Sequence, residues 1–177
     1  MEKIREKLLH KGLIQLSGQF KKENIDEVIE NILYLNDIEE IKEITLIINS
    51  VGGYVGDAFA LIDVMEMSKK KIRTIGTGYV ASCGLLTFMA GNERLISGKA
   101  MILSHQYAGG KEGKYHELVG SRKLEDYLNE RIVSHYKRHT GLSKKIINEK
   151  LLSATDAWLT PKETVKYNLA EKIINNF

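Results

Sequence analysis

Apolar and polar residues follow two recurring patterns along the first half of the chain. In GLIQLSGQF they largely alternate, which is typical of a β-strand. The next segment, ENIDEVIENILYLND, predicts an amphipathic helix from the spacing of Ile25, Val28, Ile29, Ile32 and Leu35. EITLIINS is almost continuously apolar and rich in β-branched residues, so we expect a strand covered on both faces of a parallel sheet.

The order of strand, turn and helix then repeats. VGGYVG predicts a turn into a helix over DAFALIDVMEMSKK, and KIRTIGTG predicts the next strand. An apolar helix is expected from about Ser82 to Ala90, and RLISGKAMILSHQ predicts one further strand. Strands that alternate with helices favour βαβ crossovers, so we expect an α/β fold of repeated βαβ units.

The C-terminal third has a different pattern. HELVGSRKLEDYLNERIVSHYKRHTG predicts one long amphipathic helix that ends at Gly141. Leu124, Leu128 and Ile132 recur at every fourth residue, and the helix has more apolar surface than one sheet edge needs, which indicates a partner outside its own core. A short helix over SKKIINEKLL follows, and TPKE supplies a capping-box start for a last helix over TPKETVKYNLAEKII.

Composition and charge narrow the class of protein. A chain of 177 residues with one proline and no linker indicates a single domain over 1–177. The net charge of +3 comes without a stripe of basic and aromatic residues, so we expect no nucleic-acid partner. One cysteine, Cys83, excludes an internal disulfide, and no segment resembles a secretory signal or a membrane span. We therefore expect a cytoplasmic protein with no membrane partner.

Ser82 is the first candidate for chemistry. It lies in GYVASCGLL, at the predicted junction of a strand and a helix, where a side chain is exposed beside helix N–H groups. The nucleophile elbow G-x-S-x-G is only half present, because Val80 replaces the first glycine while Gly84 is retained. From this stretch alone, Ser82 is either a nucleophile or a helix N-cap. Cys83 follows on the helix and is expected to be a small buried residue.

The histidines differ in what their positions predict. His105 ends the apolar strand AMILSHQ, which would deliver its ring to the edge of the sheet. His135 and His139 are four residues apart on the long helix, but HYKRH lacks the glutamate that follows the first histidine in zinc peptidases, so we expect no metal. His10 and His116 are expected at the surface.

Two further segments could complete a site. Gly52 and Gly53 in NSVGGYV allow backbone N–H groups to face a ligand, and no phosphate-loop motif is present, so an oxyanion hole is the better interpretation. Asp156 in SATDAWLTPKE lies between two predicted short helices. It could cap a helix or orient a histidine, and its spacing does not decide between the two.

Together these segments resemble the Clp peptidase family (ClpP), the proteolytic subunits of ATP-dependent bacterial and organellar proteases. IINSVGG is similar to the family's I-N-S-P-G-G, and GYVASCGLLTFMAG to its G-x-A-A-S-M-G-A…A-G. HQYAGGKEG is similar to its H-Q-P…G-G…G, and TDAWLTPKETVKYNLAEKI to its R-D…L-S-A-x-E-A…Y-G-L-I-D-x-I. The similarity runs from about Leu8 to Ile174, with four motifs in the family's order.

The resemblance implies a crotonase-like fold and the activity of a serine endopeptidase without a cofactor. Ser82 would be the nucleophile, His105 the base and Asp156 the third member of the triad, in the roles these groups have in other serine peptidases. The backbone amides of Gly53 and Cys83 would form the oxyanion hole. Cys83 would then contribute its amide and not its thiol.

The resemblance also implies how substrate and subunits bind. Family members take an unfolded polypeptide as an added β-strand, and the matching residues here are Gly52, Tyr54, Val55, Gln106, Tyr107 and Gly109. The segment from about 106 to 140 corresponds to the family's handle, which interlocks two seven-membered rings into a closed chamber. The expected partners are therefore other copies of this chain and an AAA+ unfoldase.

Departures from the family's pattern leave the stacking of rings and the docking of an unfoldase open. Thr155 replaces an arginine that supports contact between rings, so one ring or two stacked rings remain alternatives. Thr45 and Ile47 stand where the family often has tyrosines on the surface that docks the unfoldase. The family's N-terminal gating loop is largely missing, which is expected of a divergent or phage-type member.

Two other classes of protein remain as alternatives. A non-catalytic ring subunit would share the fold, although the complete set of Ser82, His105 and Asp156 argues against it. An acyl-CoA enzyme of the crotonase superfamily would share the two-amide oxyanion hole but needs a carboxylate near it, and neither candidate turn contains a glutamate. A viral head-maturation protease would keep the peptidase chemistry and change only the substrate.

Overall fold

The computed structural model describes residues 2–176, which form a parallel sheet with helices packed on it. Within these residues the strands are β1 Leu13–Phe20, β2 Glu43–Gly53, β3 Lys71–Ala81, β4 Glu93–Ser97, β5 Met101–Ser104, β6 Ala157–Leu159 and β7 Lys172–Ile174. The helices are α1 Glu2–Leu9, α2 Lys22–Asn36, α3 Val55–Met67, α4 Cys83–Met89, α5 Tyr115–Thr140, α6 Lys144–Ile146 and α7 Pro161–Lys166. A π-helical turn, Ile147–Leu151, continues α6.

The sheet confirms the expected βαβ arrangement. Its strand order is β1-β2-β3-β4-β7 with all neighbours parallel, and β5 lies beside the second half of β3. Only β6 runs antiparallel among the paired strands of the described chain, against β5. Because parallel strands end at the same edge, the residues that follow β2, β3 and β5 are brought close together there.

The core lies between this sheet and α2, α3 and α4. Ile44, Leu46 and Ile48 of β2 are completely buried, whereas Thr45 and Ile47 between them are half-buried. Successive residues of a strand point to opposite faces, so the second face of β2 is only partly covered. The expectation of a strand covered on both faces is therefore wrong for this chain by itself.

The segment RLISGKAMILSHQ forms two strands instead of the single strand that its apolar residues predict. β4 pairs with residues 73–76 of β3, and β5 pairs with residues 79–81. Gly78, at φ 55°, interrupts β3 between these two pairings, and a turn after Ser97 carries the chain from one to the other. The change of partner along β3 is a long-range feature that a local pattern of apolar residues does not contain.

The C-terminal third matches its prediction in part. Gly141 ends α5 in the left-handed conformation at φ 72°, and the Thr160–Glu163 capping box opens α7 as expected. The last helix is shorter than predicted, because α7 ends at Lys166 and Asn168 then takes φ 56°. The chain continues into β7, which the sequence pattern did not reveal.

Helix α5 has two unlike halves. Its second half packs into the core through Ile132, Val133 and Tyr136, while its first half is mainly exposed. The exposed first half carries the large apolar residues Tyr115, Leu118, Val119, Leu124 and Tyr127. This fits the prediction of apolar surface beyond the needs of the chain's own core. Among the described residues, no helix is both long and apolar enough to cross a membrane.

Candidate active site

Ser82 lies at the turn that joins β3 to α4, in a backbone conformation that is costly for a residue with a side chain. Its φ is 54° and its ψ is −124°, and Asn168 is the other non-glycine residue of the described chain with positive φ. Such a conformation costs about 1–3 kcal/mol and persists only where the surroundings impose it. The N–H of Ser82 donates to the Leu103 carbonyl, and the Ser82 carbonyl accepts from Leu85 and Leu86.

The side chain of Ser82 forms no capping hydrogen bond with α4, although the residue occupies the N-cap position. The N-cap interpretation of this serine is therefore wrong. The residue lines a small cavity of about 40 Å³ at the edge of the sheet. Backbone strain without a capping bond is more common at functional sites than at ordinary turns.

The Gly52–Gly53 turn packs directly against the Ser82 turn. Gly52 has φ 89°, and a Cβ atom on it would lie 2.7 Å from Cβ of Ser82 and 2.8 Å from the amide nitrogen of Cys83. A Cβ atom on Gly53 would lie 2.4 Å from the carbonyl oxygen of Phe20. No side chain fits at either position, so both glycines are required for this approach of two backbones.

Ser50 supports this turn, and sequence reasoning missed it. Its buried hydroxyl donates to the Gly18 carbonyl at 2.5 Å and accepts from the Gly52 N–H at 3.0 Å. The hydrogen bonds hold the glycine turn against β1. A serine two residues before a glycine pair was the available signal, since a short hydroxyl side chain commonly bonds the backbone two residues onward.

Cys83 is buried, as expected, with 1% of its surface exposed. Its thiol donates to the Gly53 carbonyl at 3.1 Å, and burial raises the pKa of the thiol. The sulfur is thus kept protonated and packed away from solvent. Its backbone N–H is the first of α4, and amides of the first helical turn have no acceptor within their own helix.

His105 follows β5 and lines the same cavity as Ser82. Its Nδ1 atom lies 2.5 Å from the backbone carbonyl oxygen of Gln106, so the ring is bonded to its own neighbour. Within residues 2–176 no hydrogen bond joins His105 to Ser82 or to Asp156. The structure brings the serine and the histidine to one cavity without pairing them.

Asp156 is exposed and does not line the cavity. It lies between the π-helical turn that continues α6 and helix α7, as expected, but the short strand β6 separates it from α7. The antiparallel pairing of β5 with β6 sets Ser104 opposite Ala157. One further step along this register would set His105 opposite Asp156, and opposite residues of antiparallel strands have Cβ atoms about 4.5–5.5 Å apart.

The residues predicted to contact substrate divide into two groups. Val55, Gln106 and Tyr107 line the cavity, and Gly53 lies there with them. The other three, Gly52, Tyr54 and Gly109, do not line it. The full lining is Gly53, Val55, Ser82, Cys83, Leu86, His105, Gln106, Tyr107, Ala108, Ile132 and Tyr136.

Tyr136 forms the wall behind His105 and is a second residue that sequence reasoning missed. Its hydroxyl lies 2.6 Å from Ser104 Oγ, and Ser104 in turn donates to the Leu151 carbonyl at 2.6 Å. Complete burial raises the pKa of Tyr136, so it remains a protonated donor. This bond fixes the strand residue directly before His105. The signal was the position of Tyr136 four residues after Ile132 on α5.

The chemistry of the cavity excludes some ligands. Its described lining contains no carboxylate, so it offers neither a metal site nor the acid/base carboxylate of an acyl-CoA enzyme. A different group of possible metal ligands, Glu66, His135 and His139, lies between α3 and α5. The sequence search for a glutamate beside His135 missed this group because Glu66 comes from another helix.

The α/β fold brings a strained serine and a glycine turn to one sheet edge. Comparison with known proteins identifies the family of the chain. The model of the Clp protease family matches residues 1–177. The chain therefore belongs to the Clp protease family, a family of peptidases. Membership confirms the α/β, crotonase-like ClpP fold expected from the resemblance.

A relative of known name gives the same result. The chain is 28% identical to the ATP-dependent Clp protease proteolytic subunit 2 of Thermobifida fusca (strain YX). The match covers 99% of this chain and 86% of that protein.

Proposed function

We propose that this chain is a serine endopeptidase that cleaves unfolded polypeptides, with Ser82 as its nucleophile. The observation that carries the proposal is the strained, uncapped conformation of Ser82 in the cavity that His105 also lines. The strained backbone would hold the Ser82 hydroxyl beside the N-terminus of α4, where helix N–H groups favour a developing negative charge. Membership in a peptidase family supports the same reaction class.

The proposed reaction is acyl transfer in two stages. Ser82 Oγ attacks the scissile carbonyl carbon while His105 takes the hydroxyl proton, and the amides of Gly53 and Cys83 stabilise the oxyanion. The C–N bond then breaks as His105 gives the proton to the leaving amine. A water molecule attacks the acyl-serine with the same base, which releases the second product and restores Ser82.

The proposed triad requires His105 to exchange one hydrogen bond for another. The ring would leave the Gln106 carbonyl and donate Nδ1–H to Asp156. Extending the β5–β6 pairing by one residue supplies a route, because it would align the two side chains on the same face. Asp156 would then hold the tautomer in which Nε2 is free to accept the proton of Ser82.

We propose that substrate binds as an added strand between residues 52–55 and residues 106–109. Residues 105–114 form no helix or strand and leave backbone groups free for such pairing. Substrate pairing on this side would also order the chain next to His105. Tyr54, between Gly53 and Val55 in the sequence, has 73% of its surface exposed and is suited to contact a substrate side chain.

We also propose that copies of this chain assemble into a ring-shaped chamber. The exposed apolar residues on the first half of α5 support it, because several large apolar side chains exposed on one helix segment are typical of a surface that packs against protein. The half-buried second face of β2 is a further surface available to a neighbouring subunit. The relative from T. fusca is a proteolytic subunit of an ATP-dependent protease, which supports an ATPase such as an AAA+ unfoldase as a partner.

A fluorophosphonate probe tests the nucleophile. The purified oligomer is treated with the probe and weighed by intact mass spectrometry, with Ser82→Ala as the test variant. Ser134→Ala is the matched control, because Ser134 is exposed on α5 and does not line the cavity. One adduct per chain in the wild type and in the control, but not in Ser82→Ala, is the expected result.

The second candidate function is a non-catalytic ring subunit. The hydrogen bond from His105 to its neighbour and the exposure of Asp156 favour it, since neither is arranged to activate Ser82. A folded oligomer that gives no adduct, with or without a peptide substrate or an added ATPase, would contradict the peptidase proposal and support this one.

A further inference from the structure

We propose that Glu66, His135 and His139 form a binding site for a divalent transition metal of the Zn²⁺ class, which joins α3 to the buried half of α5. One ring nitrogen of each histidine and one carboxylate oxygen of Glu66 all lie within 4.8 Å of one another. Two histidines and a glutamate are a common protein ligand set for zinc, with a fourth position left for water.

Helix geometry explains how the ligands meet. His135 and His139 are four residues apart on α5, so they lie on one face, and their ring centroids are 4.3 Å apart. Glu66 reaches them from the last turn of α3, with its Oε1 atom 3.7 Å from Nε2 of His139. Zinc bonds of about 2.0–2.2 Å place tetrahedral donors about 3.4 Å apart, so only small side-chain movements are needed.

One ring nitrogen of His139 is available to a metal ion. Its Nε2 atom is buried and has no hydrogen-bond partner within residues 2–176. An unpartnered buried nitrogen is uncommon in a folded protein and calls for a ligand or an ion. The site is still reachable from solvent, because the side chains of His139 and Glu66 are 14% and 26% exposed.

His135 is already oriented as a metal-binding histidine would be. Its Nε2 atom lies 2.9 Å from the carbonyl oxygen of Leu86, which can only accept, so Nε2 carries the proton. Nδ1 of the same ring therefore keeps its lone pair. Metal-binding histidines commonly donate their other ring N–H to a carbonyl, which fixes the tautomer and the ring orientation.

The charges around the site are balanced before an ion binds. Arg138 pairs with Oε2 of Glu66 at 2.8 Å and leaves Oε1 available. Arg94 donates to the His139 carbonyl at 2.9 Å and lies 3.5 Å from Glu171, which offsets its charge. Arg138 therefore competes with the metal for Glu66, and its removal should strengthen binding.

The first experiment is a calorimetric titration of Zn²⁺ into the full chain after treatment with a chelator. The wild type is expected to bind one ion per chain, and Glu66→Gln and His139→Gln are each expected to bind at least about tenfold more weakly. His116→Gln is the matched control, because His116 is an exposed histidine at the other end of α5, and its affinity should be unchanged. Circular dichroism without metal verifies that each variant is folded.

A second variant separates loss of a ligand from loss of structure. Arg138→Gln frees the second oxygen of Glu66 and should bind Zn²⁺ several-fold more tightly, a gain that misfolding does not produce. Titration with Co²⁺ should give the visible absorption of a tetrahedral complex in the wild type and in Arg138→Gln. Zn²⁺ affinity that is undetectable in the wild type, unaltered in Glu66→Gln and His139→Gln, or not increased in Arg138→Gln would overturn the proposal.

Discussion

On one side of the candidate active site, three backbone hydrogen bonds hold Ser82, and the glycine turn at Gly52 fits against it with no room for a methyl group. On the other side, His105 bonds its own neighbour, and Asp156 is exposed to solvent. The two sides come from the same sheet edge. They differ in that tightly packed backbone fixes the position of Ser82 but not the positions of His105 and Asp156.

The difference has a physical origin. The glycine turn and Ser82 lie at the ends of β2 and β3. These are two long strands of 11 residues each, and they share an extended parallel pairing. The His105 side joins the ends of β5 and β6, which have four and three residues. Short strands with few ladder bonds leave the following residues free to move. We infer that Ser82, the proposed nucleophile, is positioned in advance, and that His105, its proposed base, is positioned by substrate or by a neighbouring subunit.

Replacing the aspartate is the strongest test of that difference. If the working enzyme pairs His105 with Asp156, Asp156→Asn should slow acylation by a fluorophosphonate probe by roughly 10⁴-fold, because the histidine loses the correct tautomer. The rate of adduct formation under excess probe measures it.

The matched control for this variant is Asp126→Asn. Asp126 is an exposed aspartate paired with Arg122 on α5, and its replacement should leave the acylation rate within about twofold. An equal rate in wild type and Asp156→Asn would mean that His105 works from its present bond to Gln106, and the proposed triad would be abandoned.

Gly52→Ala tests the close packing of the glycine turn against the Ser82 turn. The new methyl group would approach Cβ of Ser82 to 2.7 Å in a backbone at φ 89°, so we expect a loss of roughly 3 kcal/mol or more in unfolding free energy. Denaturant unfolding measures the loss. Any folded variant should also react more slowly with the probe, since the Ser82 turn must shift.

Gly18→Ala separates crowding from backbone strain in the preceding test. Gly18 has φ 85°, but no atom lies within 4 Å of the position that its new methyl group would take, so only the strain of about 1–2 kcal/mol applies. Equal losses for the two variants would contradict the close approach of the glycine turn to Ser82.

Sequence patterns predicted the helices and strands whose conformation is determined mainly by residues near them in the sequence. The strand and helix order through α4, the stop at Gly141 and the capping box at Thr160 all followed from residue spacing and turn chemistry. Strands β6 and β7 did not, because three residues are too few for a periodic pattern. Their extended conformation depends on pairing with β5 and β4, which lie far away in the sequence.

The candidate site divides in the same way. Motif similarity selected Ser82, Gly53 and His105, and these residues share one cavity. The supporting hydroxyls of Ser50 and Tyr136 and the glutamate beside His139 were missed. Residue spacing gave only weak signals for Ser50 and Tyr136, and it gave none for Glu66, which reaches His139 from another helix.

The two buried histidines predict a fall in stability at mildly acidic pH. Burial is the largest cause that lowers the pKa of both His135 and His139 from the ordinary 6.5 to about 4. Between pH 6.5 and pH 4 these histidines bind protons in the unfolded chain but not in the folded chain. The free energy of unfolding is therefore highest above pH 6.5 and decreases as the pH falls toward 4. We expect the pair to contribute a loss of about 2 kcal/mol between pH 7 and pH 5, mostly from the more deeply buried His135.

Denaturant unfolding at a series of pH values in the presence of a chelator measures this loss. Glu66, Arg94 and Arg138 also face the pair. His139→Gln should reduce the dependence on pH, whereas His116→Gln should leave it unchanged. A wild-type stability that is constant from pH 7 to pH 5 would contradict the burial of the two rings.

We expect the smallest effect from replacing Cys83, which tests how the Ser82 turn and the glycine turn contribute to the reaction. If only its amide serves the oxyanion, Cys83→Ala should keep the acylation rate within about twofold, because alanine retains the N–H at the start of α4. Loss of the sulfur and of its hydrogen bond to the Gly53 carbonyl should cost about 1 kcal/mol of stability. Probe kinetics and denaturant unfolding measure the two effects separately. A large loss of rate with little loss of stability would show instead that the thiol helps to hold Gly53 in place for the reaction.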